Sequence, residues 1–237
     1  MQFWGISHKG EVRQQNQDSY ACRRLNDGRV LAVVCDGMGG AKAGNIASSM
    51  AVNVFVEQLS KESGDWRERM QRAASQANTQ VFQRAIQDEA CAGMGTTIVA
   101  ALVAGNEALI LNEGDSRAYH INANGIVLVT RDHSYVEDLV ASGKLTREEA
   151  RNHPKKNLLT RALGAEPVLM ADCFQKSVAE GDYLLLCSDG LSNMVTEQEL
   201  LYEVIHGQSD ETCCQRLLDI ALQRGAPDNV TAVLIRC

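Results

Sequence analysis

The chain has 237 residues, 45% of them apolar and 22% charged, with a net charge of −7. That length builds a hydrophobic core without disulfide staples. The acidic balance, with no basic cluster, excludes a nucleic-acid partner of the ordinary Lys/Arg-driven kind. It does not exclude a phosphorylated substrate, because bound divalent cations invert a local potential that a charge sum does not see.

The opening MQFWGISHKG lacks the basic start and apolar run of a signal peptide. No apolar run approaches the roughly 18 residues of a membrane span. A cytoplasmic location without membrane attachment is therefore expected. Eight cysteines are present, with no C-x-x-C pair among them. In a chain of this size they are expected to stay reduced. The vicinal Cys213 and Cys214 are the pair to watch for oxidation.

A first strand is expected a few residues in, and a second beginning at Asp18. The next is the apolar run Val30–Cys35, bounded by Gly and Asp. Two helices follow, at about 43–59 and 65–87. In the second, Met70, Ala73, Ala74, Ala77, Val81 and Ala85 recur at 3–4 spacing along one face. Strands are then expected at Thr97–Val103, Ala108–Leu111, Ala118–Ile121 and Ile126–Val129. The gaps between them are too short for crossover helices, so an antiparallel meander is expected. The stretch 132–164 is polar and weakly periodic and reads as an insert with short helices. Tyr183–Cys187 is a strand, Thr196–Ile205 and Asp210–Arg224 are helices, and Val230–Ile235 closes the chain as a strand. Strands in blocks with helices between them predict an α+β domain spanning 1–237, not an alternating α/β one.

The chemistry is carried by aspartates. Asp36 ends an apolar strand and precedes Gly37, and Asp189 ends another before Gly190. Asp115 lies between two strands, Asp228 precedes the last, and Asp18 opens an early one. Buried carboxylates that converge are costly unless a cation joins them. Oxygen donors suit Mg²⁺ or Mn²⁺. Glycine after the Asp lets backbone approach closely, so a carbonyl can serve as a donor. Asp-Gly is also a common turn dipeptide, so the spacing alone leaves both a divalent-metal hydrolase and ordinary turns open.

In order along the chain, the motifs are Gly10-Glu11-Val12-Arg13-Gln14-Gln15-Asn16-Gln17-Asp18, Val33-Val34-Cys35-Asp36-Gly37-Met38-Gly39-Gly40, Gly93-Met94-Gly95-Thr96-Thr97, Asn112-Glu113-Gly114-Asp115-Ser116-Arg117, Arg131-Asp132-His133-Ser134, Leu186-Cys187-Ser188-Asp189-Gly190-Leu191 and Asp228-Asn229-Val230-Thr231. Together they resemble the metal-dependent protein phosphatases of the 2C type, in their bacterial serine/threonine branch. The resemblance implies a four-layer α-β-β-α sandwich of two antiparallel sheets. It implies hydrolysis of phosphoserine and phosphothreonine esters by water activated at a centre of two Mn²⁺ or Mg²⁺ ions, with a third, weaker ion. Asp36 would bridge the two ions. Asp189 and Asp228 would complete the first ion's ligands, and the Gly37 carbonyl would bind the second. Asp18 would act through water, Asp115 with Asp189 would hold the third ion, and Arg13 would hold the substrate phosphate.

The resemblance further implies phosphorylated proteins and a Ser/Thr kinase as partners, with a monomer expected. The insert corresponds to a flap beside the active site, carrying Lys144, Arg147, Arg151, His153, Lys155, Lys156 and Arg161. Gln17 stands where many members carry Glu, and Met38 where eukaryotic members often carry His. Met38 cannot donate a proton, which leaves the leaving-group acid open. His133 is one candidate, and ordering of its loop is the other reading of that residue. The competing expectation for the whole chain is a catalytically inactive phosphoprotein-binding module of the same fold.

Overall fold

The computed structural model describes residues 1–61 and 64–237. Its elements in chain order are β1 (Gln2–His8), β2 (Asp18–Arg24), β3 (Val30–Met38), α1 (Gly40–Lys61), α2 (Trp66–Gln87), β4 (Gly95–Thr96), β5 (Ile98–Ala104), β6 (Glu107–Glu113), β7 (Arg117–Asn122), β8 (Gly125–Leu128), α3 (Tyr135–Ala141), α4 (Arg147–Arg151), β9 (Asp172–Ser177), β10 (Tyr183–Cys187), α5 (Asp189–Ser192), α6 (Glu197–His206), α7 (Asp210–Gln223) and β11 (Val230–Arg236). One sheet has the order β1-β11-β10-β7-β8; the other has β2-β3-β5-β6-β9, with the short β4 paired to the end of β3. All the pairings are antiparallel.

The layers follow from side-chain alternation. Along β3, Val30, Ala32 and Val34 enter the cluster between the two sheets. Leu31, Val33 and Cys35 point the other way, into the cluster formed with α1 and α2. A strand buried on both faces reads as a continuous apolar run. The second sheet repeats this plan: Leu184 and Leu186 of β10 face the sandwich interior, while Leu185 and Cys187 pack beneath α6 and α7. Four layers, α-β-β-α, result. The helical face expected on α2 is the buried one: Met70, Ala73, Ala74, Ala77 and Val81 are all within 1% of complete burial, and Ala85 packs at its edge.

The meander expected across 96–130 is instead two hairpins in different sheets. β5 and β6 pair in one sheet and β7 and β8 in the other. The chain changes sheet at Gly114-Asp115-Ser116. Gly114 takes a φ of 107°, and a Cβ there would meet the Thr97 side chain at 2.6 Å, so only glycine makes this crossing. β9 has no counterpart among the expected strands; it is an edge strand with the sequence DCFQKS, four of its six residues polar and none fully buried.

None of the eight cysteines forms a disulfide. Cys213 and Cys214 are buried on α7, and burial pushes their thiols up to about 11 and about 12. They act as small apolar side chains, poor in thiolate. Among the described residues no helix is long and apolar enough to cross a membrane.

Candidate active site

The strand pairing brings the aspartates to one end of the sandwich. In the β2–β3 register Asp18 lies directly opposite Asp36. β5 runs antiparallel to β3, so Thr97, just before β5, stands beside the end of β3. Its backbone N–H donates to the Asp36 carbonyl at 2.9 Å, and its hydroxyl accepts from the Asp36 N–H at 2.9 Å. β10 ends at Cys187, which places Asp189 in the first turn of α5. Asp228 precedes β11, the neighbour of β10, and Asp115 sits at the sheet crossing. Asp36, Asp115, Asp189 and Asp228 line one cleft of about 910 Å³, together with Arg13 and Gly37.

Asp18 does not line that cleft. It is 6% exposed and lies beneath the cleft wall. Its Oδ2 accepts from the hydroxyls of Ser188 at 2.7 Å and Thr231 at 2.6 Å, so it ties β2 to the ends of β10 and β11. Its Oδ1 is buried without a partner, and so is Oδ1 of Asp189. Oδ2 of Asp189 accepts from Asn193 at 3.1 Å. Asp228 meets Arg13 at 2.7 Å.

The electrostatics are those of negative charge with too few cations. Burial raises the Asp36 carboxyl well above the usual range, and the charges of Asp18, Asp189, Asp115 and Asp228 push the same way. Asp18 is pushed up to about 7, by burial first, against the two hydroxyls that lower it, with Asp189 and Asp228 adding repulsion. Asp115 is raised well above its ordinary value by burial, then by Asp189 and Asp132, with Arg117 offsetting part of the rise. Asp189 is raised by burial and then by Asp228.

As they stand, no three His, Cys, Asp or Glu side chains among the described residues converge tightly enough to grip one ion. The residues nevertheless fit a divalent cation. Buried carboxylate oxygens without partners are expensive in an apolar surround. The side-chain donors are carboxylates, with no thiol or imidazole at the cleft floor, which suits hard cations such as Mg²⁺ and Mn²⁺. Gly37 adds room for backbone: a Cβ there would lie 2.0 Å from the Gly44 carbonyl and 2.7 Å from that of Gln17.

Several residues that hold the site were invisible as such in the sequence. Asn229 is 4% exposed. Its amide donates to the carbonyls of Lys9 and Gln15, each at 2.9 Å, and its Oδ1 accepts from the Gln17 N–H at 2.8 Å. It thereby pins the loop that carries Arg13 to the start of β11. Asn229→Ala is expected to lose these bonds and leave their partners unpaired, costing about 3 kcal/mol and lowering the melting temperature by about 6–12 °C. A melt within about 2 °C of wild type would contradict this anchoring role. Thr97 and Ser116 share a buried hydroxyl contact of 2.7 Å that joins the end of β3 to the sheet crossing.

Of the two departures from the family pattern, Gln17 has a visible local role. Gln17 donates through Nε2 to the Gly40 carbonyl at 2.8 Å, holding the start of α1; a Glu carboxylate has no proton for that bond. His133 is 5% exposed. Its Nδ1 accepts from the Gly114 N–H at 3.0 Å, so its ring proton is on Nε2, 3.1 Å from Asp172. Burial first lowers its pKa, and the neutral ring has no proton to spare for a leaving group. It orders the loop instead, because its carbonyl also accepts from Thr160 N–H at 2.9 Å.

The basic residues of 132–164 do not act as one patch. Arg161 spans Glu113 at 3.0 Å and Asp172 at 3.1 Å. Lys155 lies over the Tyr135 ring at 5.4 Å. Arg147, Arg151 and Lys156 line a second cavity of about 340 Å³, which adjoins the first at Asp115 and Asp189.

Comparison with known proteins agrees with this fold. Residues 5–219 match the family model described as protein phosphatase 2C. The chain is 35% identical over 235 residues to the serine/threonine phosphatase stp of Listeria welshimeri, covering 96% of this chain and 92% of that one. It superposes on the crystal structure of the serine/threonine phosphatase Stp1 from Staphylococcus aureus with a TM-score of 0.93 at 33% identity, covering 99% and 94% of the two chains. It also superposes on the catalytic domain of the phosphatase PstP, solved with two manganese ions, with a TM-score of 0.87 at 32% identity, covering 98% and 96%. The chain therefore belongs to the protein phosphatase 2C family of metal-dependent phosphoprotein phosphatases, as one of its bacterial serine/threonine members.

Proposed function

We propose that this protein hydrolyses phosphoserine and phosphothreonine esters in cytoplasmic phosphoproteins and reverses the work of a Ser/Thr kinase, as a single catalytic domain with a flap at about 132–164. The observation that carries the reading is the group of aspartates at one end of the sandwich, four of them lining one cleft, with buried oxygens on Asp18 and Asp189 that no protein group satisfies.

In this reading Asp36, Asp189, Asp228 and the Gly37 carbonyl hold two Mn²⁺ or Mg²⁺ ions, and Asp115 with Asp189 holds a third, weaker one. Asp18 stands behind Asp36 and acts through water. When bound, such ions acidify water for attack on phosphorus and neutralise charge on the phosphate oxygens. The rest falls to the chain's own groups. Arg13 is more than half exposed at the cleft and held by Asp228, and its guanidinium fork offers two parallel N–H donors to a phosphate dianion. The pairs Asp18–Ser188 and Asp18–Thr231 fix the ends of three strands, so the ligand positions are set before substrate arrives. Met38 has no proton to give and His133 keeps its ring proton on Nε2 against Asp172, so in this reading a water at the cleft or another group protonates the leaving alkoxide.

The test is phosphate release from phosphothreonine and phosphoserine peptides by purified protein in Mn²⁺, in Mg²⁺ and in EDTA. Release that needs a divalent ion and stops in EDTA is expected. Folded protein that releases no phosphate in either metal would overturn the reading and favour a phosphoprotein-binding module.

A further inference from the structure

Large exposed apolar residues on this protein fall into two groups. Met1, Val12, Tyr20, Ile86, Val127 and Tyr202 are scattered along the chain and do not line the cleft, and single exposed apolar residues need no explanation. Leu158, Val168 and Met170 are different. They are 50%, 73% and 71% exposed, and all three line the same cleft as Arg13 and Asp36.

The local sequence makes this placement meaningful. In the run 168–171, which leads into β9, partly buried and exposed residues alternate. Leu169 and Ala171 pack against the core beneath α1 and α2, while Val168 and Met170 face out. Alternation on a half-buried segment normally sets polar residues outward; here both faces are apolar.

The chain between Leu158 and Val168 is also fixed in position. Asn78 on α2, 1% exposed, accepts from the Gly164 N–H at 2.7 Å and donates to the Glu166 carbonyl at 3.0 Å. Thr96 and Leu163 exchange two backbone hydrogen bonds at 2.9 Å. A preformed apolar wall beside a charged floor is the usual build of a specific binding site, and at about 910 Å³ the cleft has room beyond one phosphorylated side chain.

We propose that Leu158, Val168 and Met170 form a docking shelf for an apolar side chain of the phosphoprotein substrate, within a few residues of the phosphorylated one. The proposal rests on the phosphatase reading above and deepens it, by making flanking sequence a determinant of which phosphoproteins are taken. Continuity with the cleft identifies the occupant. A chain that delivers its phosphate to the cleft at Arg13 and Asp36 lies along the wall that the shelf forms, where an apolar flanking side chain loses contact with water.

The experiment measures kcat/KM in Mn²⁺ for phosphothreonine peptides that differ only in carrying Leu or Ser at each of the flanking positions. Wild type is expected to prefer Leu by about tenfold at one or more positions, the worth of partly burying one such side chain. In Val168→Thr/Met170→Gln that preference is expected to fall to within about twofold of unity. Both sites are largely exposed, so the variant's melting temperature should match wild type.

Equal kcat/KM for every peptide with wild type would overturn the shelf while leaving the phosphatase reading intact. So would a Leu preference that survives in the double variant. Concentration-dependent dimerisation that the double variant abolishes, with no peptide preference, would assign the shelf to a second copy of this chain and likewise overturn the proposal. Release from none of the peptides would overturn the phosphatase reading, and the shelf with it.

Discussion

Asp36→Asn is expected to lower kcat/KM for a phosphothreonine peptide by at least about a thousandfold, the scale of several kcal/mol of transition-state stabilisation that a metal site supplies. The same substitution should raise the melting temperature of the metal-free protein. Asp36 is the carboxylate most crowded by others, with Asp18, Asp189, Asp115 and Asp228 all pushing its proton affinity up. The neutral, isosteric amide removes that repulsion at nearly constant volume. The two signs together separate a metal-holding residue from a structural one. A side chain whose role is packing or hydrogen bonding loses stability when it is changed, and the melt would fall with the activity. Thermal melts in EDTA and in Mn²⁺, beside steady-state kinetics, check both halves. A variant that is less stable without metal, or that keeps a tenth of wild-type activity, would remove Asp36 from the centre of the mechanism.

Arg13→Ala is expected to cost about a hundredfold in kcat/KM, carried largely by KM, with Arg13→Lys recovering part of it. The guanidinium is 53% exposed and paired with Asp228 at 2.7 Å. An exposed ion pair of this kind contributes at most about 1 kcal/mol to folding, so the melting temperature should hardly move. What the residue offers is a planar fork whose N–H groups match phosphate oxygens, and Lys replaces that with a single point charge. The pair with Asp228 keeps the guanidinium at the cleft before substrate binds. An Ala variant with unchanged KM would show that phosphate is held elsewhere, and Arg13 would then be a surface partner of Asp228 only.

The sequence made the aspartates legible because the chemistry demands a recognisable pattern: apolar strand, carboxylate, glycine. Asp36 and Asp189 each follow such a run, and their burial on strand ends could be anticipated from neighbours within a few residues. The groups that position them could not. Asp18 is held by Ser188 and Thr231, 170 and 213 residues away in sequence, and Asn229 reaches Lys9, Gln15 and Gln17 over more than 200 residues. Serine, threonine and asparagine carry no periodic signal, so only the tertiary register reveals them.

The sheet crossing at Gly114-Asp115-Ser116 was hidden for a related reason. β6 and β7 look alike as short apolar strands, and a tight turn between them reads the same whether the chain pairs back or passes to the opposite sheet. Gln17 gained its explanation only from Gly40, a partner at the start of α1, beyond two intervening strands. The shelf of Val168 and Met170 was missed because period-two alternation cannot be seen when both faces are apolar.

The central claim is that this aspartate group is a centre for divalent cations. Titration of metal-free protein with Mn²⁺, followed by calorimetry, measures it most directly, with no substrate or turnover involved. At least two ions per chain are expected, with the melting temperature rising as they bind, and Asp36→Asn should lose that binding. Folded wild-type protein that takes up no Mn²⁺, and melts at the same temperature with and without it, would contradict the account.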